Sequence, residues 1–218
     1  MTLSHRSHAV SLAACVAIVA TLAAQQRARP QDFHQAATEA PQLAEVLNLK
    51  PGMVVADVGA GFGALTVALS SWLGPSGRIY ASDITPHALA ALRAEVSERN
   101  LKNVEVLEGG AAATNLPPGC CDAVFLRDVY HHLASVDSFN RSLHASLKPE
   151  GRLAIIDFAP DPGSELPRGV PANRGGHGIR PELVIEEVTR MGFTHVRTIP
   201  VWPPATKAGL FLVLFRRN

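Results

Sequence analysis

The sequence predicts an α/β fold: seven strands in a mostly parallel sheet, helices on both faces, and an antiparallel hairpin closing one edge. Three observations predict it. Short apolar segments alternate with segments of helical periodicity from residue 53 to residue 158, the pattern of parallel strands joined by helical crossovers. The first of these strands, Val54-Val55-Ala56-Asp57-Val58, runs straight into the glycine-rich turn Gly59-Ala60-Gly61-Phe62-Gly63 and then into a helical pattern. An acid, Asp83, ends the next apolar segment, about 20 residues past that turn, where such folds place a ribose-binding carboxylate.

In chain order, residues 1–8 are polar with Arg6, residues 9–24 are small and apolar, and Gln25-Gln26-Arg27 follows. This is the layout of a secretory signal over residues 1–24. The apolar run is shorter than the roughly 20 residues that span a bilayer, so a removed peptide is expected, with no stable membrane span after processing. Leu12-Ala13-Ala14-Cys15 has the form of a lipoprotein cleavage box, but most of the apolar run follows the cysteine instead of preceding it. Residues 25–37 read as a polar linker. A helix follows over 38–49, with Pro41 in its first turn and Leu43, Val46 and Leu47 on one face, and Pro51-Gly52 ends it. The expected succession is then strand 53–57, a helix to residue 73, strand 77–83, helix 86–100, strand 104–108, strand 122–127, helix 136–147 and strand 152–158. Residues 159–179, rich in Pro and Gly, make a connection longer than most, and their place over the strand ends predicts a lid. Helix 181–191 and the pair 194–199 and 209–215 complete the chain.

The glycine turn is the first site of chemistry. Glycines at 59, 61 and 63 permit positive φ and remove side chains that would hold a ligand away, while the helix behind the turn aims unpaired N–H groups at the occupant. A nucleotide-like molecule is expected there. Gly59, Gly61 and Ala64 also satisfy the dinucleotide spacing of two glycines and a later glycine or alanine. Two neighbours favour a different occupant: Asp57 stands two residues before the first glycine, and the third glycine is at 63, not 64. A carboxylate beside a pyrophosphate cradle repels its ligand, whereas the amino group and sulfonium of S-adenosylmethionine are positive. Asp83 suits the ribose of either cofactor, and its alternative role is a cap for the helix after Thr85-Pro86.

These pieces resemble the class I S-adenosylmethionine-dependent methyltransferases over residues 38–215. Asp57-Val58-Gly59-Ala60-Gly61-Phe62-Gly63 is similar to that superfamily's first motif and Asp83 to its ribose acid. Cys121-Asp122-Ala123-Val124-Phe125-Leu126-Arg127-Asp128-Val129-Tyr130-His131-His132-Leu133 resembles its fourth strand and active-site turn, and Leu147-Lys148-Pro149-Glu150-Gly151-Arg152-Leu153 its "LKPGG" turn. The likeness is greatest to small bacterial members carrying "DVYHH" and a later "GH.I..E", here Gly176-His177-Gly178-Ile179-Arg180-Pro181-Glu182. The resemblance implies a Rossmann-like domain over 38–218, S-adenosyl-L-methionine as cofactor, and methyl transfer to a small-molecule acceptor. It implies cofactor contacts from Asp57, Gly59, Ala60, Gly61, Gly63, Asp83, Ile84, Gly110, Ala111, Arg127 and Asp128, the last two at the methionine end. One step departs from the common pattern: Glu108-Gly109-Gly110-Ala111 lacks the aspartate that meets the adenine amino group in many members. Adenine is then left to backbone groups and to the apolar walls Ile84, Ala111 and Ala112, or to Glu108.

Ligands of open α/β sheets sit at the carboxyl ends of the strands, which directs attention to residues 127–132 and those from 157 onward. Methyl transfer is an in-line displacement, so the protein's task is alignment, with a base only where the acceptor must lose a proton. Tyr130, His131 and His132 are the catalytic candidates. Tyr130 reads equally as a packed aromatic, and consecutive histidines on a helix start point about 100° apart, so at most one faces the pocket. His177 and Arg180 read either as partners for an acceptor carboxylate or phosphate or as solvated loop polarity. Asp157 reads as a cap. No metal is expected, because His131, His132, His144 and His177 lack zinc-site spacing and no cysteine pair accompanies them.

With 218 residues, 47% of them hydrophobic, the chain can bury one sizeable core. A net charge of +1 with no basic run excludes the usual nucleic-acid binder. The leader predicts export to the periplasm, while the cofactor is made inside cells; a start codon lying downstream would make the protein cytoplasmic. Cys120 and Cys121, the cysteines left after cleavage, are adjacent and form at best a strained bridge and not a disulfide framework. The rival functions are an NAD-dependent oxidoreductase and a nucleoside-binding module without turnover.

Overall fold

The computed structural model describes residues 30–204, 206 and 209–218, so the expected leader over 1–24 lies outside the described residues. Its helices are α1 (Pro30–Leu47), α2 (Ala64–Leu73), α3 (Pro86–Glu98), α4 (Val136–Ser146) and α5 (Pro181–Thr189). Its strands are β1 (Val54–Val58), β2 (Arg78–Asp83), β3 (Val104–Glu108), β4 (Cys121–Arg127), β5 (Leu147–Phe158), β6 (Phe193–Trp202) and β7 (Leu210–Arg217). Short 3-10 turns stand at Tyr130–His132 and Ala172–Arg174.

The strands form one sheet in the order β3-β2-β1-β4-β5-β7-β6. Strands β1 to β5 are parallel, and β7 runs antiparallel between β5 and β6. The expected fold class is therefore the observed one, including the closing hairpin. The order reverses at β1, whose neighbours are β2 and β4, and a doubly wound sheet opens a crevice at such a point, beyond the carboxyl ends of the strands.

Both faces of the sheet are covered, which is why the central strands read as continuous apolar runs. Successive side chains point to opposite faces. Phe125 and Ile156 join Leu65, Leu69 and Leu73 of α2 in one core layer, while Val124, Leu126 and Ile155 join Phe139, Leu143, Val184 and Val188 of α4 and α5 in the other.

Two local differences from expectation have physical causes. The first helix starts at Pro30, so residues 30–37 are helix and not linker. Ala36, Ala40, Leu43, Ala44 and Leu47 form its buried stripe, and the Phe33 ring stacks on the Arg99 guanidinium at 4.4 Å. Pro41 lies inside this helix, not in its first turn. The fifth strand begins at Leu147, with a register irregularity between Cys121 and Ala123 where the Pro149-Glu150-Gly151 segment is absorbed. Cys120 and Cys121 are joined as a disulfide, the bridge that their adjacency left open.

Residues 159–179 fold back on themselves: Asp161 pairs with His177 in an antiparallel bridge, and Arg174 is buried against Glu187 at 2.9 Å. Among the described residues no helix is long and apolar enough to cross a membrane.

Candidate functional site

A cavity of about 860 Å³ opens at the switch point. It is walled by the β1 turn, the ends of β2 and β4, the segment after β3, and one face of α1. Asp32 and Gln35, polar positions within the segment expected to be a linker, face this cavity together with Ala36 and with Glu39 of the expected helix. Helix α1 is fastened there by Glu39, which accepts from Arg127 Nε at 3.0 and 3.1 Å and from Trp202 Nε1 at 2.7 Å.

The β1 turn is built from the chain's own hydrogen bonds. Gly59 and Ala60 N–H both donate to Ser82 O at 2.8 Å, Gly63 N–H to Ala60 O at 2.9 Å, and Gly61 N–H to Asp83 Oδ2 at 3.1 Å. The expectation that the turn offers free amides is thus corrected at these four positions: Gly59 and Ala60 continue onto the Ser82 carbonyl of β2, Gly61 goes to the Asp83 side chain, and Gly63 closes the turn itself. Gly59 answers a packing demand as well: at φ 78° a Cβ there would stand 2.3 Å from Val129 Cγ2.

Beneath the turn, Asp57 is 3% exposed and accepts from Thr66 Oγ1 at 2.6 Å. Burial pushes its carboxyl up to about 7, with the Asp83 charge adding to the rise and the Thr66 bond and Arg127 opposing it. A cation set beside Asp57 would ionise it. Asp83 is not the helix cap: Thr85 is, its Oγ1 accepting from Ala88 N–H, while Asp83 Oδ1 accepts from Thr85 N and Oγ1. Its Oδ2 has one donor, Gly61 N–H, and retains a lone pair for a ribose hydroxyl.

Every expected cofactor contact lines the cavity: Asp57, Gly59, Ala60, Gly61, Asp83, Ile84, Gly110, Ala111, Arg127 and Asp128, with the exception of Gly63, whose place is filled by packing against Leu92. Ala112 and Glu108 do not line it, and Glu108 is exposed. Asp128 holds a left-handed backbone, φ 62°, with its N–H on Ile156 O at 2.9 Å. Such a conformation is costly for a residue other than glycine and clusters at functional sites.

The catalytic candidates separate. Tyr130 is fully buried in the core, its hydroxyl accepting from Asn140 Nδ2 at 2.7 Å, and burial followed by the Glu187 charge holds that hydroxyl well above the usual phenol range. It is a packed aromatic that does not line the cavity, so its catalytic candidacy is withdrawn. His131 is 1% exposed and does not line the cavity either; its Nδ1 meets Asp157 Oδ1 at 2.8 Å. His132 does line it, and partial burial, then the neighbouring His131 and His177, hold its imidazole below the usual value. Asp157, read from sequence as a cap, is fully buried and accepts from His131 Nδ1, His131 N–H and Phe158 N–H. Its signal was its place at the end of β5, beside the end of β4.

From the lid, His177 reaches His131, Nε2 to Nε2, at 3.1 Å. Arg180 stands at the N-cap position of α5, with no side-chain capping bond, and does not line the cavity, whereas Arg168, not singled out in the sequence, does. The expectation of no metal-binding group rested on spacing along the chain. Folding brings His131, His132 and His177 together, their ligand atoms within 4.8 Å of one another.

Comparison with known proteins agrees with this geometry. A family described as a methyltransferase domain matches residues 56–155. Over 127 residues the chain is 31% identical to the ubiquinone/menaquinone biosynthesis C-methyltransferase UbiE of Shewanella sp. (strain ANA-3), covering 58% of this chain and 50% of that protein. The chain thus spans about half the length of the curated relatives it matches. A SAM-dependent methyltransferase from Aquifex aeolicus superposes with a TM-score of 0.67 and 26% identity, over 83% of this chain and 90% of that one. The [4+2]-cyclase SpnF superposes with a TM-score of 0.68 at 16% identity, over 84% of this chain and 81% of its own, a likeness of fold alone.

Proposed function

Since the chain belongs to the class I S-adenosylmethionine-dependent methyltransferase superfamily, we propose that it binds S-adenosyl-L-methionine in the switch-point cavity and transfers its methyl group to a small-molecule acceptor. One observation carries this reading: a buried carboxyl with a pKa near 7 lies beneath a turn whose Gly59, Ala60, Gly61 and Gly63 amides are spent on the chain itself. Such a turn suits a cation and offers little to a diphosphate, which needs free N–H groups and no adjacent carboxylate. The antiparallel β7 between β5 and β6 also departs from the 3-2-1-4-5-6 order of the dinucleotide fold.

The residues present fit the cofactor. Asp57 takes the donor's ammonium, Asp83 Oδ2 accepts from the ribose, and Ile84, Gly110 and Ala111 flank the base. Asp128 and Arg127 border the methionine end. The bound cofactor supplies an electrophilic methyl on a cationic sulfur. The chain aligns the acceptor between that methyl and the imidazole wall, where His132 borders the acceptor and Asp157 fixes the orientation of His131 behind it. Arg168 lies on the lid side of the cavity, within the acceptor's reach.

The proposal extends to export through residues 1–24, supported by their composition and by the Cys120–Cys121 disulfide, a bond that persists in oxidising compartments. Fractionation of cells carrying the full chain tests it, with recovery only in the cytoplasm as the contrary result.

Titration calorimetry with S-adenosylmethionine and with NAD tests the central reading. One molecule of the sulfonium cofactor per chain and no NAD binding is the expected result, followed by label transfer from methyl-labelled cofactor to a panel of oxygen, nitrogen and sulfur nucleophiles. Binding of NAD in preference, or of neither, overturns it.

A further inference from the structure

We infer that the imidazoles of His131, His132 and His177 form a binding site for one divalent transition-metal ion of the zinc type. Zinc binds imidazole nitrogen at about 2.0–2.1 Å, and a tetrahedral arrangement sets two such nitrogens about 3.3 Å apart. His131 Nε2 and His177 Nε2 stand 3.1 Å apart, and the third ring keeps a ligand atom within 4.8 Å of both.

The hydrogen bonding fixes which nitrogens point inward. Asp157 is held by His131 N–H at 3.1 Å and Phe158 N–H at 2.9 Å, and accepts from His131 Nδ1–H at 2.8 Å. The His131 proton is therefore on Nδ1, and Nε2 presents a lone pair to His177. A second carboxylate, Asp128, lies 4.0 Å from the same Nδ1. This carboxylate–imidazole arrangement is the one that orients a metal-ligating histidine and raises its basicity. With no ion, the Nε2-to-Nε2 contact needs a proton on His177; a metal ion takes that proton's place.

The lid's ligand, His177, is placed by backbone geometry that a solvated loop does not need. His177 sits between Gly176 and Gly178, at φ 138° and 118°. A Cβ on Gly176 would meet Asp161 O at 2.4 Å, and one on Gly178 would meet Ala159 O at 2.8 Å. The lid thus passes in backbone contact with the exit of β5, tied by Asp161 N–H to His177 O at 3.0 Å and His177 N–H to Ser164 Oγ at 2.7 Å. Only glycine on both sides admits that approach.

Three imidazoles leave a position open, as in catalytic zinc sites, and His132 brings that position to the cavity wall. Resting on the methyl-transfer reading, the acceptor is then a hydroxyl or thiol whose coordination lowers its pKa and releases its proton to solvent. Its oxygen or sulfur forms the new bond to the methyl carbon as the carbon–sulfur bond of the sulfonium breaks, the electron pair passing to sulfur. The ion site itself does not depend on that reading.

The test is titration of chelator-treated full chain with Co²⁺ alone, followed by visible absorption, then displacement by Zn²⁺. One Co²⁺ per chain with the intense bands of four-coordination is expected, with affinity lower by about 100-fold or more in His177→Ala and by about 10- to 100-fold in Asp157→Asn. S-Adenosylmethionine affinity, measured on the same samples, stays unchanged in His177→Ala and serves as the control for folding. Should that variant not fold, proton spectra of the Co²⁺-loaded native chain decide, with shifted N–H signals expected from three imidazoles. A spectrum of free aqueous Co²⁺, equal binding by His177→Ala, or fewer than three shifted rings overturns the site. Cofactor binding without metal binding refutes this inference alone; metal binding without cofactor binding refutes the methyl-transfer reading alone.

Discussion

Asp57 is the residue on which cofactor choice turns, and its titration makes the choice measurable. The folded chain holds its proton up to about pH 7, against 3.8 for the free side chain, so the unfolded state gives the proton up first. Its contribution to stability is therefore complete in acid below the unfolded value and is lost as the pH rises through about 7. In Asp57→Asn that loss disappears, and urea midpoints at pH 6 and 8, compared with those of the native chain, measure it. Binding runs the other way. An ammonium prefers the ionised carboxyl, so S-adenosylmethionine affinity rises with pH by up to about tenfold per unit below 7 and then flattens. Calorimetry in two buffers of different ionisation enthalpy reads the proton released; a pH-independent affinity would show that Asp57 does not face the cation. Asp57 and Asp83 were legible in the sequence because turn and acid lie within one strand–helix–strand unit. Tyr130 was misplaced because adjacency to His131 and His132 says nothing of which way a 3-10 turn points its side chains.

Among the elements, α1 is where sequence reading failed most and for an identifiable reason. Its first turns are polar, which in isolation reads as a linker, yet the polarity faces a cavity that exists only once β1, β2 and β4 have assembled. The continuous apolar runs of the central strands carried no such ambiguity, since burial on both faces leaves each run uninterrupted. What docks α1 is Glu39, buried between Arg127 at the end of β4 and Trp202 at the end of β6. Glu39→Ala leaves a half-buried guanidinium and an indole N–H without their acceptor, a loss of about 2–4 kcal/mol. Glu39→Gln keeps an acceptor for the indole and loses less. Urea denaturation checks the order, and a loss under about 1 kcal/mol in the alanine variant would mean that α1 is held by its apolar stripe alone. Because positions 32, 35 and 36 of the same helix line the cavity, the alanine variant also binds S-adenosylmethionine more weakly.

At the scale of the whole molecule, the topology was legible from motif order, and the imidazole cluster was not. Residues 131 and 177 are far apart in the chain, and no spacing rule links the end of β4 to a glycine-flanked histidine returning over β5; only the assembled sheet makes them neighbours. The cavity draws its walls from α1, the β1 turn, β2, the segment after β3, β4 and the lid, so a ligand that fills it couples elements from both core layers. Binding to the folded state alone stabilises by mass action, about 2.7 kcal/mol at a hundredfold excess over Kd. For a domain of this size that raises Tm by roughly 5–10 °C. Thermal unfolding with S-adenosylmethionine should show this shift, and NAD at equal concentration should leave Tm unmoved. Hydrogen exchange locates the effect: amides of the β1 turn and of α1 slow with ligand, while the start of β6 from Phe193 to Thr198 and its β7 partners, none of which line the cavity, keep their rate. A shift with protection confined to the β6–β7 edge would place the ligand elsewhere and refute the switch-point assignment.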